Sequence, residues 1–117
     1  MQHHKKGKKF GRTKGKRAHF LRNLVNDLVR CGRIETTEAR AKAIRPITEK
    51  LVSIAKKQDL AHRRLLVSRM GNRRIAQKMY EEFGPKYQSR PGGYTRIIKL
   101  TKARKRDGSR LAVIEFV

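Results

Sequence analysis

The chain has 117 residues, of which 32 are Lys or Arg and 9 are Asp or Glu, so its formal net charge is +23. This length fits one domain, and self-repulsion of this size opposes compaction unless a polyanion relieves it. No apolar run approaches the roughly 20 residues that a transmembrane helix needs. The first ten residues lack the apolar stretch of a secretory signal, and the single Cys31 cannot form an internal disulfide. We therefore expect a cytoplasmic protein that binds a polyanion and has no membrane partner.

The N-terminal segment, residues 1–17, contains basic but no acidic residues and is punctuated by Gly7, Gly11 and Gly15. It has too few apolar side chains to offset the entropy cost of ordering. We predict a flexible basic extension that follows a phosphate backbone and orders on contact with RNA, although a solvated tail is the alternative. The basic residues in and just after it are Lys5, Lys6, Lys8, Lys9, Arg12, Lys14, Lys16, Arg17 and Arg22.

Residues 18–117 are expected to form a single α+β domain, which begins with a helix near Ala18. The helical spacing of Leu21, Leu24 and Leu28 carries this first helix to a stop at Gly32. A short extended stretch, residues 33–35, follows it. Thr36 or Thr37 can then cap a second helix, in which Pro46 predicts a kink or a break.

The second half of the domain is expected to pass from helices to strands. Asp59 is predicted to cap a third helix and Asn72 a fourth, which the pair Gly84-Pro85 ends. Residues 94–100 and 111–117 are rich in β-forming side chains and predict two strands. Together these elements predict about four helices packed on a small antiparallel sheet that ends in a C-terminal β-hairpin. The expected core residues are Leu21, Leu24, Leu28, Ile47, Leu51, Ile75 and Phe83.

The loop between these two strands is a second candidate for phosphate contact. It contains Arg104, Lys105 and Arg106. A charged hairpin tip can serve solubility alone. Because a second basic element lies at the other end of the chain, we interpret the loop as a further RNA contact, with RNA wrapping around the domain.

The segment from Ser89 to Arg96 is the third candidate. Its two glycines allow a backbone to approach a phosphate closely, and Tyr94 can stack on a base. Arg90 and Arg96 can pair with phosphates. The alternative is a loop that enters a strand and whose tyrosine packs on the helices.

No catalytic constellation is recognisable. His3, His4, His19 and His62 have no carboxylate or cysteine at a recognisable spacing, and Cys31 is typical of a buried or half-buried structural thiol. We expect no enzyme activity, cofactor, metal or small-molecule substrate. Two rival functions stay open: a nucleoid-type DNA-binding protein, for which a helix-turn-helix signature is not visible, and an RNA-modifying or RNA-cleaving enzyme.

Several segments, spread over nearly the whole chain, resemble one known family. They comprise residues 33–37, Ala41-Lys42, residues 51–56, Arg63-Arg64, residues 92–97, Asp107-Gly108 followed by Ala112, Ile114, Glu115 and Val117, and, near the N-terminus, His3, Lys5, Gly7, Arg12, Arg17, Arg22 and Asn23. The string Gly-Gly-Tyr-Thr-Arg-Ile at residues 92–97 is the most specific of them. In these features the chain resembles the family of the seventeenth protein of the bacterial large ribosomal subunit.

The resemblance implies a structural component of the large ribosomal subunit that binds and stabilises large-subunit ribosomal RNA near the mouth of the polypeptide exit tunnel. Neighbouring ribosomal proteins are implied as further partners. Within this picture Arg17, Arg22 and Arg96 are the expected bidentate phosphate contacts, and Tyr94 is the expected stacking residue. The family's Ser-Ser-His-Arg segment stands here as Lys14-Gly15-Lys16-Arg17, so only Arg17 carries over.

Overall fold

The computed structural model describes residues 13–117 and arranges them as helices on one side of a small sheet. In chain order the elements are α1 (Lys14–Cys31), β1 (Arg33–Thr37), α2 (Glu38–Ala55), α3 (Leu60–Met70), α4 (Arg73–Lys78), a π-helical segment (Met79–Phe83), the short helical turn α5 (Gly84–Lys86), β2 (Thr95–Ala103) and β3 (Arg110–Phe116). The predicted α+β class is confirmed.

The sheet is antiparallel, with the strand order β1-β3-β2, and β2 and β3 form the predicted C-terminal hairpin. The central strand β3 supplies the buried row Ala112, Val113 and Ile114. Ile114 lies opposite Ile34 of β1 on one side and Ile97 of β2 on the other. β1 is longer than the sequence predicted and reaches Thr37, because its ladder with β3 continues as far as Leu111.

Helix α2 is the central element, since it contacts all three strands as well as α1 and α3. The Oγ1 atom of Thr37 accepts a hydrogen bond of 3.2 Å from the backbone N–H of Arg40, which confirms Thr37 as the helix cap. The helix runs through Pro46 without the break that the sequence allowed. Pro46 is exposed, so its ring meets solvent and only one rung of the backbone ladder is lost.

The starts of α3 and α4 are fixed by local caps, as predicted. The carboxylate of Asp59 accepts a hydrogen bond of 2.8 Å from the N–H of His62, and the amide oxygen of Asn72 accepts one of 3.2 Å from the N–H of Ile75. The prediction that Gly84-Pro85 ends the fourth helix was wrong. Gly84 has a right-handed φ of −55°, and the chain continues through the π-helical segment into α5. Proline is tolerated there because the first turn of a helix needs no N–H from it.

The core combines aliphatic side chains from the helices with aromatic ones from the end of α5 and the hairpin. Of the expected core residues, Leu28, Leu51 and Phe83 are buried, while Leu21, Leu24, Ile47 and Ile75 are half-buried at its edge. The rings of Phe83 and Phe116 lie 4.2 Å apart between centroids, and those of Tyr87 and Tyr94 lie 5.3 Å apart. This aromatic cluster joins the helical layer to the hairpin, and the sequence had assigned Tyr94 to the surface instead.

Candidate nucleic-acid interface

Each acidic residue has a hydrogen-bond or ion-pair partner within the chain, and most of the basic side chains of the described residues are left without an acidic partner. All 9 of them lie within residues 13–117. Glu49 binds backbone N–H groups, Glu81 accepts from Gln77, and ion pairs engage Asp27, Glu35, Glu38, Asp59, Glu82, Asp107 and Glu115. Most Lys and Arg side chains of the described residues have no acidic partner, so they are open to an external anion.

The basic N-terminal segment reaches into the first helix. Lys14, Lys16 and Arg17 lie in the first turn of α1, which begins before Ala18, where the sequence placed its start. Lys and Arg are good helix formers, and the N–H of Arg17 donates to the carbonyl of Thr13 at 2.7 Å. The other predicted contacts of this segment, at His3, Lys5, Lys6, Lys8, Lys9 and Arg12, lie outside the described residues.

A groove with a volume of about 640 Å³ opens between α1, α2 and α3. Its floor is apolar, and its rim carries the basic residues Lys14, Arg17, Arg22, Lys50 and Arg69. Sequence reasoning had singled out the three on α1 but missed Lys50 and Arg69. These two lie on different helices, and only the packing of α2 and α3 against α1 brings them to the same groove. Asn23 is exposed on α1 but does not line it.

The segment that leads into β2 is held from within the protein by Glu49 of α2. The two carboxylate oxygens of Glu49 accept from the N–H of Tyr94 at 3.1 Å, the N–H of Thr95 at 2.8 Å and the hydroxyl of Thr95 at 2.7 Å. Gly93 has a φ of +63°, so the turn itself requires a glycine there. The Gly-Gly-Tyr-Thr pattern therefore has an internal structural reason.

Tyr94 does not lie where a base could stack on it. Its side chain is 2% exposed, and Nζ of Lys56 donates to its hydroxyl at 3.0 Å. The packing alternative is thus the one that the structure adopts, and the base-stacking role predicted for Tyr94 is corrected. A tyrosine between a glycine turn and a strand can pack into the core or stay exposed to stack on a base. The local sequence is the same in both cases, so it does not distinguish them.

The two arginines of this segment remain on the surface. Arg90 is exposed and donates to the carbonyl of Gly93 at 3.3 Å. Arg96 is exposed as well, but its Nε lies 2.7 Å from Oε1 of Glu115, and Oε2 of the same carboxylate lies 3.8 Å from Nε of Arg33. Arg96 shares its charge with this carboxylate, so it is a weaker phosphate contact than its exposure alone indicates.

The tip of the hairpin is an ordered turn that presents two of its three cations. Arg104 donates from Nε to the carboxylate of Asp107 at 3.0 Å, and the N–H of Ser109 donates to the same carboxylate at 3.1 Å. Lys105 and Arg106 are exposed, with no acidic partner in the part of the chain that the structure describes. The turn therefore neutralises Arg104 and leaves Lys105 and Arg106 for an external anion.

The Asp107 carboxylate is expected to stay ionised in acid. The hydrogen bond from Arg104, followed by those from Ser109, holds the pKa of Asp107 well below its usual range of about 3.9. A lowered pKa in the folded chain stabilises the turn above the ordinary pKa, and this contribution is lost as the pH falls through the lowered value. The carboxyl carbon shift of Asp107, followed by NMR, should therefore show no titration step down to about pH 3. In Arg104→Ala its midpoint should move up towards the ordinary range; an unchanged midpoint would rule out this cause.

The described residues give little support to the alternative that the chain is an RNA-modifying or RNA-cleaving enzyme. Asp59 and His62 form the closest acid–imidazole contact, with His62 Nδ1 2.6 Å from an Asp59 carboxylate oxygen, and His62 lowers the pKa of Asp59. That carboxylate also caps α3, so the pair has a structural role. Cys31 is exposed at the end of α1, so the prediction of a buried or half-buried thiol was wrong. Among residues 13–117, no cluster of three His, Cys, Asp or Glu side chains could hold a metal, and no helix is long and apolar enough to cross a membrane.

Comparison with known proteins identifies the family. The model of the family described as Ribosomal protein L17 matches residues 20–117. A protein of Persephonella marina is 48% identical over the whole of this chain and 95% of its own length. One of Hydrogenobaculum sp. is 42% identical over 100% and 99%, and one of Thermoanaerobacter sp. is 46% identical over 94% and 97%. All three are named large ribosomal subunit protein bL17. The resemblance read from the sequence is confirmed: the chain belongs to the ribosomal protein L17 family.

Proposed function

We propose that the chain is a structural constituent of the large ribosomal subunit that binds and stabilises folded large-subunit ribosomal RNA. The relatives named above are large-subunit proteins, and the family is structural and non-enzymatic. The observation that carries the RNA part is the separation of charge. The acids all have partners within residues 13–117, whereas most Lys and Arg side chains of these residues have no acidic partner, among them those around the groove and Lys105 and Arg106 at the hairpin tip.

The proposed mechanism is neutralisation of phosphates where RNA segments pack together. Each phosphate met by a Lys or Arg releases condensed counterions, which favours binding without base readout. The basic residues of the segment 1–17 and of the hairpin tip would both contact phosphates of the RNA. Arg17 and Arg22 are the proposed bidentate contacts on α1, because a guanidinium matches a phosphate with two parallel hydrogen bonds.

The location near the mouth of the exit tunnel, in the cytoplasm and beside other ribosomal proteins, is part of the same proposal. It rests on the family resemblance. No small-molecule substrate or membrane enters this function.

Sucrose-gradient fractionation of a cell lysate tests the proposal directly. We expect the chain to co-sediment with the large ribosomal subunit at low salt and to leave it when the RNA is digested or the salt concentration is raised. Recovery of the chain on chromosomal DNA, free of the subunit, would favour the nucleoid rival. Turnover of RNA by the purified chain that is lost in His62→Ala would favour the enzyme rival.

The hairpin tip is expected to contribute a measurable share of the salt dependence of RNA binding. Replacing Lys105 and Arg106 together by Ala should make the negative slope of log affinity against log salt shallower by roughly 1 to 2, since each lost phosphate contact removes about 0.7 to 0.9. Filter binding of large-subunit ribosomal RNA over a salt series measures the slope. The matched control, Lys42→Ala with Lys78→Ala, removes the same charge from side chains paired with Glu38 and Glu82. Equal losses in both variants would mean that net charge alone matters and would remove the tip from the interface.

A further inference from the structure

We propose that the groove between α1, α2 and α3 seats one unpaired nucleotide of the bound RNA, with its base on the apolar floor and its phosphate on the basic rim. The inference deepens the proposed function and rests on it. The groove would hold a base as well as a phosphate, which the hairpin tip cannot do. The tip offers only charge, whereas the groove offers charge around an apolar surface.

The floor is apolar and is continuous with the core. Val25 and Met70 are each 1% exposed and Leu51 is 5% exposed, while Leu21 and Ile47 are half-buried. The volume of about 640 Å³ lies within the range of pockets that hold small organic groups, about 300 to 1,000 Å³. A nucleobase is a flat group of low polarity on both faces, so this floor suits an unstacked base.

The rim supplies charge of one sign. Of its five basic side chains, Lys14, Arg17 and Arg22 come from α1, Lys50 from α2 and Arg69 from α3, and no acidic residue lines the groove. None of the five forms an ion pair with an acidic residue of the described chain. Arg22 lies against the end of α3, with its Nη1 atom 2.8 Å from the place where a Cβ on Gly71 would stand. The guanidinium therefore lies beside the groove without any bound RNA.

Asn26 gives independent evidence for a bound group in the groove, because it has an unpaired hydrogen-bond acceptor there. It lines the groove, is 9% exposed, and its Nδ2 donates to the carbonyl of Met70 at 3.0 Å. Its Oδ1 is buried and has no hydrogen-bond partner among residues 13–117. Buried acceptors are rarely left unpaired, and the Watson–Crick edge of every base carries at least one N–H that could satisfy this one. Asn26 and Met70 both line the groove, so this acceptor belongs to a residue that the seated base would contact.

An acidic amphipathic segment of a neighbouring protein is the other occupant that the charges would allow. The orphaned acceptor favours a nucleotide, because an apolar side chain on the floor would leave Oδ1 unpaired. A base supplies an apolar face and a hydrogen-bond donor in one rigid group, and its phosphate follows at the rim.

The test compares a mixed-sequence single-stranded RNA of about 12 nucleotides with the fully paired duplex of the same sequence. NMR of the unaltered chain should show that the single strand shifts the Asn26 side-chain amide and the Met70 methyl signals, whereas the duplex, with its bases stacked inside, does not. RNA binding that leaves both signals unmoved would overturn the seat and leave the proposed function standing. Absence of binding to either RNA and to ribosomal RNA would overturn the proposed function itself. A peptide of alternating Glu and Leu that moves these signals when RNA does not would assign the groove to a protein partner.

A pair of variants tests the rim without touching the core. Lys50→Ala with Arg69→Ala should weaken binding of the single strand about tenfold at low salt and weaken duplex binding less. The control, Lys57→Ala with Arg73→Ala, removes the same charge from exposed side chains that do not line the groove. If the control lowers single-strand affinity as much as the rim variant does, the seat is refuted.

Discussion

Replacing Gly84 by Ala is expected to lower the free energy of unfolding by about 2 to 4 kcal/mol, although the same change in most helices stabilises. Gly84 has ordinary helical angles, so the reason is not backbone freedom. A Cβ at this position would lie 2.4 Å from the carbonyl oxygen of Ala55 and 2.6 Å from Nε2 of Gln58. The first of these is backbone at the end of the central helix α2, and it cannot turn aside as a side chain could.

The surroundings of Gly84 are fixed by further bonds. Nε2 of Gln58 donates to the carbonyls of both Ala55 and Tyr80, at 2.6 and 2.9 Å, and so joins the end of α2 to the π-helical segment. Ala55 is fully buried. An added methyl group must therefore push α5 away from α2 and disturb Phe83, which precedes Gly84 and packs on the hairpin through Phe116.

Urea unfolding followed by circular dichroism measures the loss. The matched control is Gly15→Ala in α1, where the added Cβ meets no heavy atom of residues 13–117 within 4 Å beyond its own helix backbone and its neighbours in the chain. It should leave stability unchanged or raise it by up to about 1 kcal/mol, the ordinary advantage of Ala over Gly in a helix. If Gly84→Ala matched Gly15→Ala in stability, the close approach of α5 to α2 would be wrong.

Gly84 also shows why the local sequence was not sufficient to predict where the fourth helix ends. A Gly-Pro pair is a strong stop signal because glycine allows a left-handed cap and proline cannot continue a helix. Here the glycine serves a contact with a helix that ended well before it in the chain. Nothing within a few residues of Gly84 encodes the position of Ala55, so the correct reason was out of reach of sequence reasoning.

The features predicted correctly are those that depend on neighbours in the chain. The caps at Thr37, Asp59 and Asn72 each bind an N–H three residues later, so residue type and spacing suffice to place them. The hairpin strands were predicted from their β-branched and aromatic content. The fold class then followed from the order of helices and strands.

The candidate interface was predicted less completely, because it depends on packing between helices. Charge counts located the hairpin tip and the basic side chains of α1, but Lys50 and Arg69 join the groove only after α2 and α3 have packed. The burial of Tyr94 was missed for a related reason. Its ring is enclosed by Tyr87, which precedes the glycine turn, and by Lys56 from the end of α2.

Replacing Glu49 by Ala is expected to lower the free energy of unfolding by about 2 to 4 kcal/mol, because it leaves several buried groups unpaired. The N–H of Tyr94 and both the N–H and the hydroxyl of Thr95 donate to this one carboxylate. Tyr94 and Thr95 are each 2% exposed, so these donors lose their partner in a place that is largely shielded from water. The loss should be largest where β2 begins, since Thr95 also opens the pairing of β2 with Phe116.

Urea unfolding and amide hydrogen exchange at Tyr94 and Thr95 provide the measurements. Glu49→Gln keeps one acceptor oxygen and should lose less stability than Glu49→Ala, whereas Glu82→Ala removes the same charge from an exposed side chain and should change stability by less than about 0.5 kcal/mol. Faster exchange at Tyr94 and Thr95 in Glu49→Ala, with little change in the middle of β3, would place the damage at this junction. Equal stability of Glu49→Ala and Glu82→Ala would show that the carboxylate does not hold the strand, and the Gly-Gly-Tyr-Thr string would then again need an explanation outside the fold, in the RNA.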